Sequence, residues 1–459
     1  MAGRLIVISN RIPLGGPPSG GLVVALHECL EQIGGVWIGA ADETVETPAA
    51  TFTEHKEASY QKLTFDLTKE DYRTYYLGYA NAVLWPLCHR RGDLIDLQQD
   101  YRDGYYRVNE RLAQMLADIV TPDDRIWVQD YHFFPLAHAL RKLGVRAAIG
   151  FFLHIPFPTR TDLEALSDQR EFLDWIAAFD LVGVQTKGDV ASCLEVFRAM
   201  GDGELQLDGA MRHGARRFHV QSFPIGINPE GFAQSAGEED GREILNLRPN
   251  EKLLIGIDRL DYSKGLPNRM RAVGQYLDMR QPEDPRATFL QIAPPTREGL
   301  AAYEDIRNEL EQISGAENGK HSDLDWTPIR YIHQMVPRHR LAPILRAADV
   351  GLVTPMADGM NLVAKEFVAA QDGRDPGVLV LSRFAGAAEQ LEGALIVNPF
   401  DIMEMADAIR TALVMSLEER SERHEQLARS VFTETIDHWT ETYLNAFDRV
   451  IPISMPLSA

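Results

Sequence analysis

About ten short apolar runs are spaced along this chain, with helix-like segments between them. They are Leu5–Ile8, Ile126–Val128, Ala147–Leu153, Leu181–Val184, Leu253–Ile257, Thr288–Ile292, Ile329–Ile332, Val350–Val353, Val378–Leu381 and Leu395–Val397. A run that is apolar throughout, rather than at alternate positions, describes a strand covered on both faces. Parallel sheets flanked by helices provide that cover. Between two of the runs, Val108, Leu112, Met115, Leu116 and Ile119 mark one helical face. A usual sheet has about five or six strands, so ten runs imply two sheets. At 459 residues the chain holds two or three domains with ample core.

The break between sheets is expected near Pro224–Gly241, where Gly, Pro and acidic residues cluster. The expected organisation is an N-terminal domain over 1–227, a C-terminal domain over 228–435 and a final helical segment over 436–459. Gly315-Ala-Glu-Asn-Gly-Lys320 resembles a phosphate-binding loop, but it has three residues between its glycines where four are needed. His321 stands where a magnesium-binding Ser or Thr belongs. It is read as a surface loop after a helix.

The net charge of −21 argues against nucleic acid or an anionic membrane as partner, since both need basic surface. Cys29, Cys88 and Cys193 are too few and too scattered for a disulfide framework, and no Cys/His cluster suggests a structural metal. No run reaches the roughly 20 apolar residues of a membrane helix. With no cleavage-site pattern before Leu5–Ile8 either, a cytoplasmic protein is expected.

Two segments carry chemistry. Asp358-Gly-Met-Asn-Leu-Val-Ala-Lys-Glu366 follows the run Val350–Val353, and Leu362, Val363, Phe367 and Val368 are spaced for a helix packed on a sheet. A carboxylate, a glycine turn and a helix N-terminus thus sit at the carboxyl end of a strand, where open α/β sheets bind ligands and helix N–H groups attract phosphate. Glu366, one turn in, is placed to accept the two hydroxyls of a ribose. The plainer alternative is a capped surface helix with Asp358 as an ordinary turn residue. The second segment, Asp258-Arg259-Leu-Asp-Tyr-Ser-Lys264-Gly265, puts two cations just past another strand end. Fixed cations there would stabilise the charge growing on a diphosphate leaving group. Solvated surface charges are the plainer alternative.

Together with Ile8-Ser-Asn-Arg11, Ser19-Gly-Gly-Leu22, Asn81-Ala-Val-Leu-Trp85-Pro86, Trp127-Val-Gln-Asp130-Tyr-His132, Phe152-Leu-His154-Ile-Pro-Phe-Pro158, Pro224-Ile-Gly-Ile227, Gln291-Ile-Ala-Pro294 and Val397-Asn-Pro399, these segments resemble the trehalose-6-phosphate synthase family over nearly the whole chain. The resemblance implies the α/β GT-B fold, two facing Rossmann-like domains with the active site in the cleft between them. It implies retaining transfer of glucose from UDP-glucose to glucose 6-phosphate, with the C-terminal helix crossing back to the N-terminal domain.

The site residues follow from the same resemblance. Arg11, Tyr76 and Arg297 would hold the acceptor phosphate, Asp130 a sugar hydroxyl, and Trp85 would shape the acceptor pocket. Arg259 and Lys264 would bind the donor diphosphate, and Gly20 and Gly21 would approach the donor by backbone. Val336 would lie beside the base, and Gly359, Met360, Asn361, Leu362, Val363 and Glu366 would bind phosphate and ribose. Asp358 and His154 would hold the transferred glucose; Arg259, Lys264, His154 and Asp130 are the catalytic set.

Each assignment has a structural counterpart. Trp85 and Tyr76 are more often core residues, Asp130 is a candidate cap for the helix beginning near Phe133, and a lone His154 at a strand end is usually structural. Arg11 and Arg297 follow strand-like runs without obvious local partners, which suits a two-guanidinium phosphate clamp. No carboxylate pair is credible for a double-displacement route and the resemblance implies none; the route expected from the resemblance is front-face. No metal cofactor is expected, because Arg259 and Lys264 supply the positive charge. The expected partners are the two small-molecule substrates; the oligomeric state, homo-oligomer included, is left open.

One departure bears on the acceptor. The family often shows Trp-x-Gly-Trp-Ser, whereas this chain has Trp37-Ile-Gly-Ala40-Ala41 and a short proline-rich loop over Ile12–Ser19. A sister enzyme using another phosphorylated acceptor, such as glycerol 3-phosphate, and a catalytically silent regulatory member are therefore the alternatives.

Overall fold

The computed structural model describes residues 3–15, 21–56, 59–167, 169–281, 283–297 and 300–450. Gly20 and residues 16–19 of the Ile12–Ser19 loop lie outside the described residues. The chain divides into two compact units, Met1–Pro224 with Trp439–Ala459, and Ile225–His438.

The first unit is built on β1 (Leu5–Arg11), β2 (Val36–Val45), β3 (Thr53–His55), β4 (Gln61–Thr68), β5 (Arg125–Gln129), β6 (Ala148–Phe152), β7 (Leu181–Val184), β8 (Glu204–Leu205), β9 (Met211–His213) and β10 (Arg216–Ser222). They form one sheet in the order β3-β4-β2-β1-β5-β6-β7-β10-β9-β8. The pairs from β4 to β10 are parallel. The outer pairs β3–β4, β9–β10 and β8–β9 are antiparallel, so the sheet is mixed and not purely parallel as expected. Edge strands face water and need no continuous apolar run, which is why these were missed. Successive strands run outward in opposite directions from β1 and β5, so a topological switch point lies between those two.

The second unit contains β11 (Lys252–Ile257), β12 (Ala287–Ile292), β13 (Ile329–Ile332), β14 (Val350–Val353), β15 (Val378–Ser382) and β16 (Leu395–Val397). The order is β13-β12-β11-β14-β15-β16 and every pair is parallel. Its switch point lies between β11 and β14.

The C-terminal helix Ile436–Val450 supplies core to the first unit. Tyr443 stacks on Trp127 with ring centroids 4.5 Å apart and donates its hydroxyl to the Phe151 carbonyl at 3.1 Å. Gly150 and Gly183 make room for it: a Cβ on Gly150 would lie 2.4 Å from the Tyr443 oxygen.

Two local expectations fail. Gly315–Lys320 is not a loop but lies within the helix Ala301–His321. Gly315 and Gly319 face open space, where the helix tolerates them at a modest conformational cost. In the helix Leu362–Ala370 the sheet-facing side is Ala364, Phe367 and Val368, while Leu362 and Val363 are only half-buried. Among the described residues, no helix is long and apolar enough to cross a membrane.

Candidate functional site

The loops that leave the strand ends at each switch point carry most of the expected site residues. In the first unit, Arg11 ends β1 and Asp130 follows β5. Asp130 has φ 71°, a strained backbone for a side-chain-bearing residue. Its carboxylate makes no capping bond to the short helix Tyr131–Phe133. It accepts instead from the His154 N–H at 3.3 Å, so the simple capping alternative does not hold. The His154 ring lies between two glutamines, Nε2 2.9 Å from Gln129 Oε1 and Nδ1 3.5 Å from Gln185 Nε2. Burial pushes its pKa down to about 3, so the imidazole is neutral at any working pH.

Tyr76 sits on an unusual element, the π-helix Tyr72–Leu84. Its wide turns close i→i−5, as in Trp85 N–H to Ala80 O. Such turns are rare and often mark functional segments. Tyr76 is stacked between Tyr72, at 5.1 Å, and His132, at 5.8 Å and 9°. The exposed Arg11 guanidinium stands 5.6 Å from its ring centroid. Arg11 and Tyr76 are thus brought together. Trp85 is buried and stacked 4.1 Å from His89. Ala40 is buried on β2, paired in register with Arg11. Gly21 opens the helix Gly21–Ile33.

In the second unit, Arg297 does not lack a local partner as expected. Its Nη1 donates to Asp261 Oδ2 and to the Tyr303 hydroxyl, both at 2.6 Å, and all three groups are buried. Asp261, which caps the short helix Tyr262–Lys264, is 36 residues from Arg297 in sequence, so periodicity does not reveal the pairing.

The two loops beside the β11/β14 switch point meet. Lys264 Nζ donates to Asp358 Oδ2 at 2.5 Å, and both side chains are about nine-tenths buried. Asn361 Nδ2 donates to Asp358 Oδ2 at 3.0 Å and to Asp258 Oδ1 at 3.2 Å. Asn361 has φ 74° and precedes the helix Leu362–Ala370 without a side-chain cap bond, so this helix is not the capped surface helix of the plainer alternative. Arg259 is exposed, whereas Lys264 is not the solvated charge of its alternative. Gly359 lies in the turn and Met360 is buried under it.

Glu366 lies one turn into that helix with 21% of its side chain exposed. Burial raises its pKa to about 7, against the pull of Arg338, whose Nη2 is 3.5 Å away. Val336 is half-buried just before the helix Arg338–Ala347. Among the described residues no group of three or more His, Cys, Asp or Glu is disposed to hold a metal ion.

A family description, "Glycosyltransferase family 20", matches residues 16–449. The chain belongs to this glycosyltransferase family. A trehalose-6-phosphate synthase of Enterobacter sp. is 41% identical over 99% of this chain and 97% of its own. The UDP-forming alpha,alpha-trehalose-phosphate synthase of Burkholderia xenovorans, solved in complex with glucose-6-phosphate, superposes with a TM-score of 0.91. It is 42% identical and covers 97% of this chain and 100% of its own. An Escherichia coli structure bound with UDP-2-fluoro glucose has a TM-score of 0.92 and 42% identity, covering 97% and 99%. The fold class of this family 20 member is therefore GT-B, two Rossmann-like domains in one chain.

Proposed function

We propose that the protein is a trehalose-6-phosphate synthase, transferring glucose from UDP-glucose to glucose 6-phosphate to give α,α-trehalose 6-phosphate and UDP. The observation that carries this reading is the joining of Lys264, Asp358 and Asn361 at the β11/β14 switch point. That is where an open parallel sheet takes a nucleotide, and the similar proteins were solved with the two substrate types.

In this reading Arg259 and Lys264 take the diphosphate, and the uncapped N–H groups of Leu362 and Val363 add a helix-dipole contribution. Glu366 accepts the ribose hydroxyls, Val336 lies beside the uracil, and Asp358 and His154 hold the glucose. Arg11, Tyr76 and Arg297 take the acceptor phosphate, Asp130 an acceptor hydroxyl, and Trp85 backs the pocket.

The C1–O bond to the diphosphate breaks as the acceptor oxygen bonds C1 on the same face. The leaving phosphate oxygen takes the acceptor's proton, and configuration is retained. Neutral His154 is not a general base at its depressed pKa; it donates or accepts a hydrogen bond. The two cations supply the charge stabilisation that a metal supplies in other transferases, so no metal cofactor is invoked. Three buried cysteines, none of them in a disulfide, suit a reducing cytoplasm.

One observation favours a second reading. Ala40 stands beside Arg11 in the sheet, where the family pattern often has a tryptophan, and a smaller side chain there leaves room for a different phosphorylated acceptor.

The test is a nucleotide-release assay without added metal, crossing UDP-, GDP- and ADP-glucose with glucose 6-phosphate, fructose 6-phosphate and glycerol 3-phosphate. An α,α-1,1-linked disaccharide phosphate, identified by NMR, is the expected product. Turnover with glycerol 3-phosphate alone would establish the second reading, and no turnover from folded protein would refute both.

A further inference from the structure

We propose that the buried Asp258–Arg269 ion pair positions Lys264 and Asn361 for transfer, which makes Asp258 and Arg269 positioning residues of the reaction. The proposal rests on the reading of Lys264 as the diphosphate cation.

Arg269 lies in the first turns of the helix Leu266–Met279, with its side chain 1% exposed. It runs beneath Gly256 of β11, where a Cβ would come within 2.8 Å of Nη1. From there one planar guanidinium reaches four groups. Nη2 donates to Asp258 Oδ2 at 2.8 Å and to the Lys264 carbonyl at 3.3 Å. Nε donates to Thr354 Oγ1 at 3.0 Å, and Nη1 to Gln291 Oε1 at 3.2 Å. The carboxyl ends of three adjacent strands, β12, β11 and β14, are thereby tied to the turn that bears Lys264.

The network closes on itself. From the Lys264 carbonyl it passes through Arg269, Asp258, Asn361 and Asp358, and returns to the Lys264 ammonium. Lys264 is held at both its main chain and its side-chain tip. A lysine at 269 has one point charge and no fork, so it cannot make these bonds together. A buried ion pair seldom stabilises a fold more than well-packed apolar side chains would, so stability alone gives little reason for one here. Holding a cation in place in the donor site gives such a reason, because misplacement by about 1 Å can cost ~10²-fold in rate.

The experiment begins with kcat and KM of the parent protein for UDP-glucose and glucose 6-phosphate. Failure at that stage falls on the proposed function. The variants D258N, R269K and the apolar pair D258L/R269M then test the positioning role. Each single variant is expected to lower kcat by about 10²-fold and to lower Tm by roughly 10 °C, since each disturbs a buried charge pair. The double variant is expected to regain Tm while kcat stays at least about tenfold down, with the KM for glucose 6-phosphate within about twofold of the parent. Recovery of kcat along with Tm would make the pair structural only and overturn the proposal. If the double variant does not fold, D258N assayed well below its Tm decides: parental kcat there overturns the proposal, and a persistent loss with unchanged acceptor KM supports it.

Discussion

Lys264 and Asp358, 94 residues apart in sequence, share a 2.5 Å hydrogen bond between ammonium and carboxylate. The cation proposed for the donor diphosphate is therefore already paired with the carboxylate proposed for the glucose. A bound donor has to share or replace that bond, so part of its phosphate affinity goes into rearranging the pair. The low exposure of both groups makes the exchange sensitive to either charge.

Lys264→Ala removes the ammonium proposed to stabilise charge on the leaving diphosphate. The expected loss in kcat is about 10²–10³-fold. Steady-state kinetics with UDP-glucose checks it, and turnover near the parental value would remove Lys264 from its role.

Arg11 is the cleaner test of the acceptor side, because its side chain is exposed and, among the described residues, forms no ion pair with a buried carboxylate. Arg11→Ala is expected to raise the KM for glucose 6-phosphate by about 10–100-fold, the worth of one charge-assisted phosphate contact, and to leave Tm unchanged. Arg297→Ala should raise the same KM and also lower Tm, because it strands the buried Asp261 carboxylate. An unaltered acceptor KM in both variants would dissolve the clamp.

Glu366 gives a pH signature. Its pKa is raised from 4.5 to about 7, so its protonated form is favoured by folding. Its contribution to stability is fully present below about pH 4.5 and is lost as pH rises through 7. The ribose binding proposed for Glu366 has the opposite sign, because there the carboxylate is the acceptor. The KM for UDP-glucose should rise as pH falls from about 8 to 6, and Glu366→Gln should flatten that profile while raising Tm at pH 8. A pH-independent donor KM in the parent would refute the assignment.

His154 should behave in the reverse sense. With its pKa pushed from 6.5 to about 3, the folded state excludes a proton that the unfolded chain binds. Stability is full above pH 6.5 and falls by up to about 1.4 kcal/mol per pH unit below it, down toward pH 3. Comparing denaturant midpoints of the parent and His154→Gln between pH 7 and 5 isolates this term; parallel losses in the two proteins would exclude it.

Two levels of the protein were legible in the residues alone, and a third was not. The runs Leu181–Val184 and Val350–Val353 coincide with β7 and β14, because burial on both faces demands an unbroken apolar run, and Ile329–Ile332 and Leu395–Val397 coincide with the partly buried edge strands β13 and β16. β2, β4 and the small edge strands escaped: β2 turns polar and exposed after Ala41, β4 alternates apolar Leu63, Phe65 and Leu67 with polar Lys62, Thr64 and Asp66, and a ladder edge can be polar. The loops bearing Asp258–Lys264 and Asp358–Glu366 were legible because turn chemistry and charge after an apolar run are local features.

Partnership was not legible. Arg297 looked unpaired until Asp261 and Tyr303 closed on it, and Arg269 drew no notice as one charge in a helix. Local residue pattern was enough to mark the doubly buried strands, the turns that carry charge, and the family to which the chain belongs. The tertiary structure alone decided which charges meet, because strand order brings β11 beside β14 across about a hundred intervening residues and makes one network of two loops.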